Sequence, residues 1–140
     1  MMRITLDTNQ FVKALMRPPF LATFVMAWES QRFTVVASTE LIEEYERVLA
    51  YPEVAALIFP ELLRAYRSHL KHDIELVAIT EIIKICRDPD DDKVIATALY
   101  GMVDYLLTED NDLKTTEISK ILHDVGITTI SSIELIKMLD

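Results

Sequence analysis

The sequence has few of the residues that cross-link or bend small folds: one cysteine, two glycines and five prolines among 140 residues. A single cysteine, Cys86, cannot close an internal disulfide, which predicts a reducing compartment. So few glycines argue against a turn-rich sandwich of short strands. Three histidines with one cysteine are too few for a structural zinc site. Disulfide-stabilised, zinc-stabilised and all-β classes are therefore disfavoured.

Long apolar runs are also missing. The longest uncharged run, Pro18–Trp28, is about half the ~20 residues that a membrane-spanning helix needs. The first residues form a strand-like segment and lack the pattern of a signal peptide. We therefore expect no membrane association and a cytoplasmic protein.

What the sequence does contain is enough apolar material for a core. Hydrophobic residues make up 51% of the chain and charged residues 26%, which excludes intrinsic disorder. The length suits one domain, and no repeat or linker divides it. We expect a single domain over residues 1–140.

Short β-branched runs alternate with longer helical patterns. The predicted strands are Met2–Leu6, Phe33–Ala37, Asp104–Thr108 and Ile127–Ile130, with Ile74–Ile79 as a weaker candidate. The predicted helices are Gln10–Arg17 and Phe20–Gln31, separated by Pro18-Pro19, a helix after Ser38, helices near Pro52 and Pro60, and then Asp88–Gly101, Glu117–Asp124 and Ser132–Leu139. Strands separated by helices need crossover connections, so the pattern predicts an α/β fold with a parallel sheet.

The negative charge is concentrated in one segment. The stretch from Asp88 to Asp112 holds eight acidic residues and one base, Lys93, and so carries most of the formal net charge of −9. Helix capping and solubility would explain such a segment without any ligand. A divalent-cation site that offsets clustered carboxylates is the other explanation, because Mg²⁺ and Mn²⁺ prefer oxygen ligands.

Acidic residues follow three of the predicted strands. Asp7 ends the first strand, Glu44 lies in the helix after the second, and Asp110 and Asp112 follow the DYLLT strand. The carboxyl ends of parallel strands meet at one edge of the sheet, where ligands bind. Each acid also has a structural alternative: Asp7 as a helix cap, Glu46 in place of Glu44, and Asp110 and Asp112 as turn residues.

The four aspartates at the helix start around Asp88-Pro89 have different expected roles. Asp88 has the position of a cap, and Asp90 and Asp92 have that of favourable charges at a helix N-terminus. Asp91 instead lies on the apolar stripe of the helix, in line with Val94, Ile95 and Ala98. A carboxylate directed at the core side needs a partner or a metal.

Four segments, in order, resemble the PIN-domain ribonucleases, and most of all the branch described as toxins of toxin–antitoxin modules. They are LDTN at the end of the first strand, STELIEEYERVL after the second, DPDDDKVIATAL, and DYLLTEDNDL. The resemblance implies a three-layer α/β/α sandwich with a parallel central sheet and an acidic pocket that binds Mg²⁺ or Mn²⁺.

The resemblance also implies individual site residues. The catalytic and metal-binding acids would be Asp7, Glu44, Asp91 and Asp110, with Asp112 as an additional metal ligand. The pocket would be supported by Asn9, Thr108, Ser38 and Asp88. Glu109 is a departure, since the branch often has glycine there; an added carboxylate could crowd the site or change its cation preference.

These observations predict a metal-dependent endoribonuclease that cleaves single-stranded RNA through a metal-activated water, as the toxin of a toxin–antitoxin pair. One alternative is a PIN fold that binds RNA or a partner without cutting. The other is a phosphate-accepting receiver domain, which needs an acidic pair after the first strand, whereas here Asp7 stands alone.

Apolar residues recur near helical spacing over the first two predicted helices: Phe11, Leu15, Met16, Phe20 and Phe24. Such a patch marks either an interface or a buried core. Together with the resemblance, it leads us to expect a homodimer and a small antitoxin protein docked near these helices.

Overall fold

The computed structural model describes residues 1–16, 18–81 and 83–139, with side chains described outside 13–22. Within these residues, five strands alternate with eight α-helices. The strands are β1 (Met2–Leu6), β2 (Phe33–Ala37), β3 (Ile74–Leu76), β4 (Tyr105–Leu107) and β5 (Thr128–Ile130). The helices are α1 (Thr8–Met16), α2 (Pro18–Glu29), α3 (Thr39–Leu49), α4 (Pro52–Ala55), α5 (Pro60–His72), α6 (Asp92–Gly101), α7 (Thr116–Asp124) and α8 (Ser132–Leu139).

The strands form one parallel sheet in the order β3-β2-β1-β4-β5. The chain builds outward from β1 to β3, and then returns across the sheet to add β4 and β5 on the other side. Helices cover this sheet: α2 packs against β2, and α6 packs against β1 and β2. The predicted three-layer α/β/α sandwich with a parallel central sheet is confirmed.

The neighbouring strands β1 and β2 are buried on both faces. Ile4, Val35 and Val36 are fully buried, as expected for a parallel sheet covered by helices. Helix α6 packs against β1 and β2, and its last residue, Gly101, lies so close to β2 that a Cβ there would be 2.7 Å from Val36 Cγ1. This packing fixes the position of α6 over the centre of the sheet.

Several predicted boundaries are wrong by a few residues. Two helices are present as predicted, but α1 begins at Thr8 and α2 begins at Pro18, so the proline pair lies in the first turn of α2. The first N–H groups of a helix have no intrahelical partner, so proline costs little there. The segment after Asp88 forms a 3₁₀ turn, Pro89–Asp91, before α6 begins.

The first two helices contribute to the core of this chain. Phe11 and Phe24 are each only 1% exposed, and Phe11 stacks on Tyr45 with ring centroids 4.5 Å apart. For these two residues the core explanation is correct and an interface role is wrong; Leu15, Met16 and Phe20 lie outside the described side chains. Among the described residues, no helix is long and apolar enough to cross a membrane.

Candidate metal centre

Asp7 lies at the carboxyl end of β1, beside β4. This is the point in the sheet where the order of the strands reverses. Its backbone N–H donates to the carbonyl of Leu107 at 3.0 Å, which continues the pairing of the two strands. The carboxylate is buried, with Oδ2 accepting from Thr108 Oγ1 at 2.8 Å and a further bond coming from the backbone N–H of Asn9. In open α/β sheets this is the position where ligands bind.

The loop after β4 brings two more carboxylates to the same edge. Thr108 Oγ1 accepts from the backbone N–H of Asp110 at 3.0 Å, and Asp110 Oδ1 accepts from the N–H of Asp112 at 2.9 Å. These bonds shape a 3₁₀ turn at Asn111–Leu113. Asp110 is therefore a turn residue, as the structural alternative had it, but the turn also directs it toward Asp7.

The aspartates before α6 have different roles. Asp88 caps the 3₁₀ turn, since its Oδ1 accepts from the N–H of Asp90 at 3.0 Å. Asp92 was expected to be a favourable charge at the helix N-terminus, and that explanation is incomplete. It is 4% exposed, and its Oδ1 accepts from the N–H groups of Ile85 and Cys86, so it fixes the preceding loop. Asp91 makes no capping bond.

Asp91, Asp110 and Asp112 converge. One carboxylate oxygen from each lies within 4.8 Å of the others, and among the described residues this is the one group of three potential ligands with such spacing. Asp7 and Glu44 are not members of the group. Asp7 adjoins it, because Asp7 and Asp110 are close enough to repel each other electrostatically.

The pKa values reflect burial and this repulsion. Burial, followed by the charges of Asp110 and Asp7, raises the pKa of Asp91 from 3.8 to about 7. Burial also raises the pKa of Asp7, with the hydrogen bond from Thr108 opposing it and the nearby charges of Asp110 and Glu44 adding to it. Carboxylates held this close need a proton or a cation to reduce their repulsion.

Glu44 stands on the other side of Asp7 and is fully engaged by protein groups. Its Oε1 accepts from Lys93 Nζ at 3.0 Å, and its Oε2 accepts from Thr8 Oγ1. The ion pair is half-buried, with the two side chains 18% and 17% exposed. The structure thus brings Glu44 close to the site, but its negative charge is paired with Lys93.

A cleft of about 330 Å³ opens beside these groups. Of the predicted residues it is lined by Asp7, Asn9, Glu44, Asp88 and Asp91. Sequence reasoning did not place the six other lining residues at the site: Thr8, Arg47, Val48, Tyr51, Asp90 and Lys93. Only Lys93 could have been suspected from the sequence, because it is the one base in the strongly acidic segment from Asp88 to Asp112.

Two predicted features lie away from the carboxylates. Ser38 is fully buried; it caps α3 by accepting from the N–H of Leu41, and it shares a 2.8 Å hydrogen bond with Thr97. It supports the site by fixing α3 against α6. Glu109 accepts from Ser132 Oγ at 2.9 Å and is not a member of the three-carboxylate group.

A PIN-domain family model matches residues 3–112. The chain belongs to the PIN-domain family. The matched region runs from β1 through Asp112 and so contains every carboxylate described above. No curated protein matches this chain closely enough to count as a relative.

PIN domains are usually nucleases and typically use divalent metal ions. The side chains present fit such an ion. The group Asp91, Asp110 and Asp112, with Asp7 beside it, supplies only carboxylate oxygens, the donors that Mg²⁺ and Mn²⁺ prefer. Because the chain belongs to the PIN-domain family, the alternative of a receiver domain is wrong.

Proposed function

We propose that this PIN domain is a metal-dependent endoribonuclease that cleaves single-stranded RNA. The observation that carries the proposal is the convergence of carboxylates from separate parts of the chain. Asp7 comes from the end of β1, Asp91 from the turn before α6, and Asp110 and Asp112 from the loop after β4. Helix capping alone gives no reason for these three segments to meet.

The chemistry follows from this arrangement. A Mg²⁺ or Mn²⁺ ion held there would make a bound water more acidic and stabilise charge on the phosphoryl oxygens. Asp91, Asp110 and Asp112 would hold the ion, with Asp7 beside them. Thr108 keeps one oxygen of Asp7 in place, and a carboxylate that the ion does not saturate could accept the proton of the attacking water.

The cleft also offers groups that suit a single strand. Arg47 and Tyr51 line it at the end of α3, and Tyr51 is 46% exposed. An arginine can pair with a phosphate, and an exposed aromatic ring can stack on a base. They give an acidic protein a local means of holding a polyanion beside the carboxylates.

The nature of the cleaved ends tests this proposal. The protein is incubated with a labelled single-stranded RNA in Mn²⁺, in Mg²⁺ and in EDTA. We expect cleavage with either ion, none in EDTA, and products with 5′-phosphate and 3′-hydroxyl ends, because water and not the ribose 2′-hydroxyl attacks phosphorus. Asp91→Asn should abolish cleavage, and Asp124→Asn, at an exposed position at the end of α7 and outside the cleft, should retain it.

Two results would contradict the proposal. Products with 2′,3′-cyclic phosphates would exclude the metal-water mechanism. Metal-dependent binding of RNA with no cleavage over many hours would favour the non-catalytic PIN module.

We further propose that this nuclease is the toxin of a toxin–antitoxin pair. Support comes from the four sequence segments, whose order and spacing resemble that branch of PIN proteins. The test is to co-express the chain with the product of any small adjacent reading frame. A stable complex with inhibited RNA cleavage is expected, and the absence of both would contradict the toxin role.

A further inference from the structure

Lys93 stands between the two acidic parts of the site. It belongs to the first turn of α6, two residues after Asp91, and its ammonium group reaches 3.0 Å from Glu44 Oε1. It lines the same cleft as Asp7 and Asp91. The side chain is 18% exposed, so the charge is largely removed from bulk water.

The position of the Lys93 side chain is unfavourable for two reasons. A cation near a helix N-terminus opposes the helix dipole, and ordering a lysine side chain costs rotamer entropy. The ion pair with Glu44 offsets these costs. The protein thus already holds a positive charge at the edge of its carboxylate cluster.

Glu44 has neither oxygen free of protein partners. Lys93 donates to one and Thr8 to the other. The three carboxylates that can share one ion, Asp91, Asp110 and Asp112, leave Glu44 out. A divalent cation at Glu44 would have to share this carboxylate with the ammonium group and would be repelled by its positive charge.

We propose that Lys93 occupies the place of a second divalent cation, so that the metal centre holds one ion. This rests on the proposed metal-dependent function. The ion is bound by Asp91, Asp110 and Asp112, while the ammonium group of Lys93 neutralises Glu44. Lys93 is then a positioning residue: it fixes Glu44 and sets the number of ions that the site accepts.

The experiment counts Mn²⁺ ions per chain in the full-length protein, by isothermal titration calorimetry with equilibrium dialysis. Wild type should bind one ion. Lys93→Met, which keeps the length of the side chain and removes its charge, should bind two. Lys93→Arg should bind one, because it restores the charge. Lys120→Met, on the exposed face of α7, is the control for net charge and should also bind one.

A second variant keeps the proposal testable if Lys93→Met does not fold. Glu44→Gln should still bind one ion, because Glu44 is not a ligand of that ion. Two ions in wild type, one ion with unchanged affinity in Lys93→Met, or loss of Mn²⁺ binding in Glu44→Gln would each overturn the proposal. RNA cleavage by a wild type that binds two ions would overturn this inference alone, whereas failure to bind any ion would contradict the proposed function.

Discussion

Individual side chains decide how this site behaves without metal. Asp91 is the clearest case, since burial and the charges of Asp110 and Asp7 raise its pKa from 3.8 to about 7. The folded protein therefore binds a proton at Asp91 more tightly than the unfolded chain does. The stability that this proton gives is fully present below pH 3.8 and is lost as pH rises from there to about 7.

A pH series on the metal-free protein tests this directly. In EDTA, the melting temperature of wild type should fall more steeply between pH 5 and pH 8 than that of Asp91→Asn, which carries no charge at either pH. With screening at this partly exposed carboxyl, the difference should be on the order of 1 kcal/mol, or about 3 °C. Asp90→Asn should follow wild type. Parallel curves for wild type and Asp91→Asn would contradict the close approach of the carboxylates.

At the scale of elements, helix α6 carries Lys93 into the site and follows directly on the turn that carries Asp91, and the far end of α6 fixes it to the sheet. A methyl group at Gly101 would meet Val36 Cγ1 at 2.7 Å. Gly101→Ala should therefore lower the free energy of unfolding by about 1–3 kcal/mol in urea denaturation. The Gly101→Ala, Val36→Ala double variant should lose less than the sum of its single changes, because the contacting methyl is gone. Strict additivity would show that the two residues do not touch.

The elements also show what could be read from the sequence. The strands β1 and β2 and the order of elements were predictable, because apolar β-branched runs stand out between helical patterns. The position of Asp91 beside other carboxylates could be expected, because in the predicted helix Asp88–Gly101 it lies on the apolar stripe. The 3₁₀ turn before α6 was not, because a cap followed by proline marks the start of either kind of helix.

Long-range partners were the main gap. The ion pair between Glu44 and Lys93 joins residues far apart in the chain, and no local pattern pairs them. Asp92 looked like its neighbours, yet its carboxylate binds the backbone of the loop before it. Glu109 looked like an added carboxylate at the site, and nothing in the sequence indicated that Ser132 on α8 donates a hydrogen bond to it.

At the scale of the whole molecule, exposed apolar side chains among the described residues include one on α2, a helix that the sequence indicated. Met26 on α2 and Ile133 on α8 are 66% and 60% exposed, and these two helices pack against each other. The homodimer remains a prediction, and we place its interface on these two helices. Light scattering at tens of micromolar should give a dimeric mass, and Met26→Lys should reduce it to that of a monomer. Met102→Lys, at another exposed methionine, should leave the dimer intact; a monomeric wild type would contradict the prediction.

The central claim is that carboxylates from three parts of the chain form one metal site, and melting curves in EDTA and in Mn²⁺ test it most directly. An ion bound only by the folded state stabilises it by RT ln(1 + [L]/Kd), or about 2.7 kcal/mol at a hundredfold excess over Kd. Wild type and Asp90→Asn should both melt higher in Mn²⁺. Asp91→Asn should melt at or above wild type in EDTA and lose most of the response to Mn²⁺. An Asp91→Asn variant that is less stable than wild type in EDTA, with its Mn²⁺ response intact, would show that Asp91 serves an ordinary helix start and not a metal site.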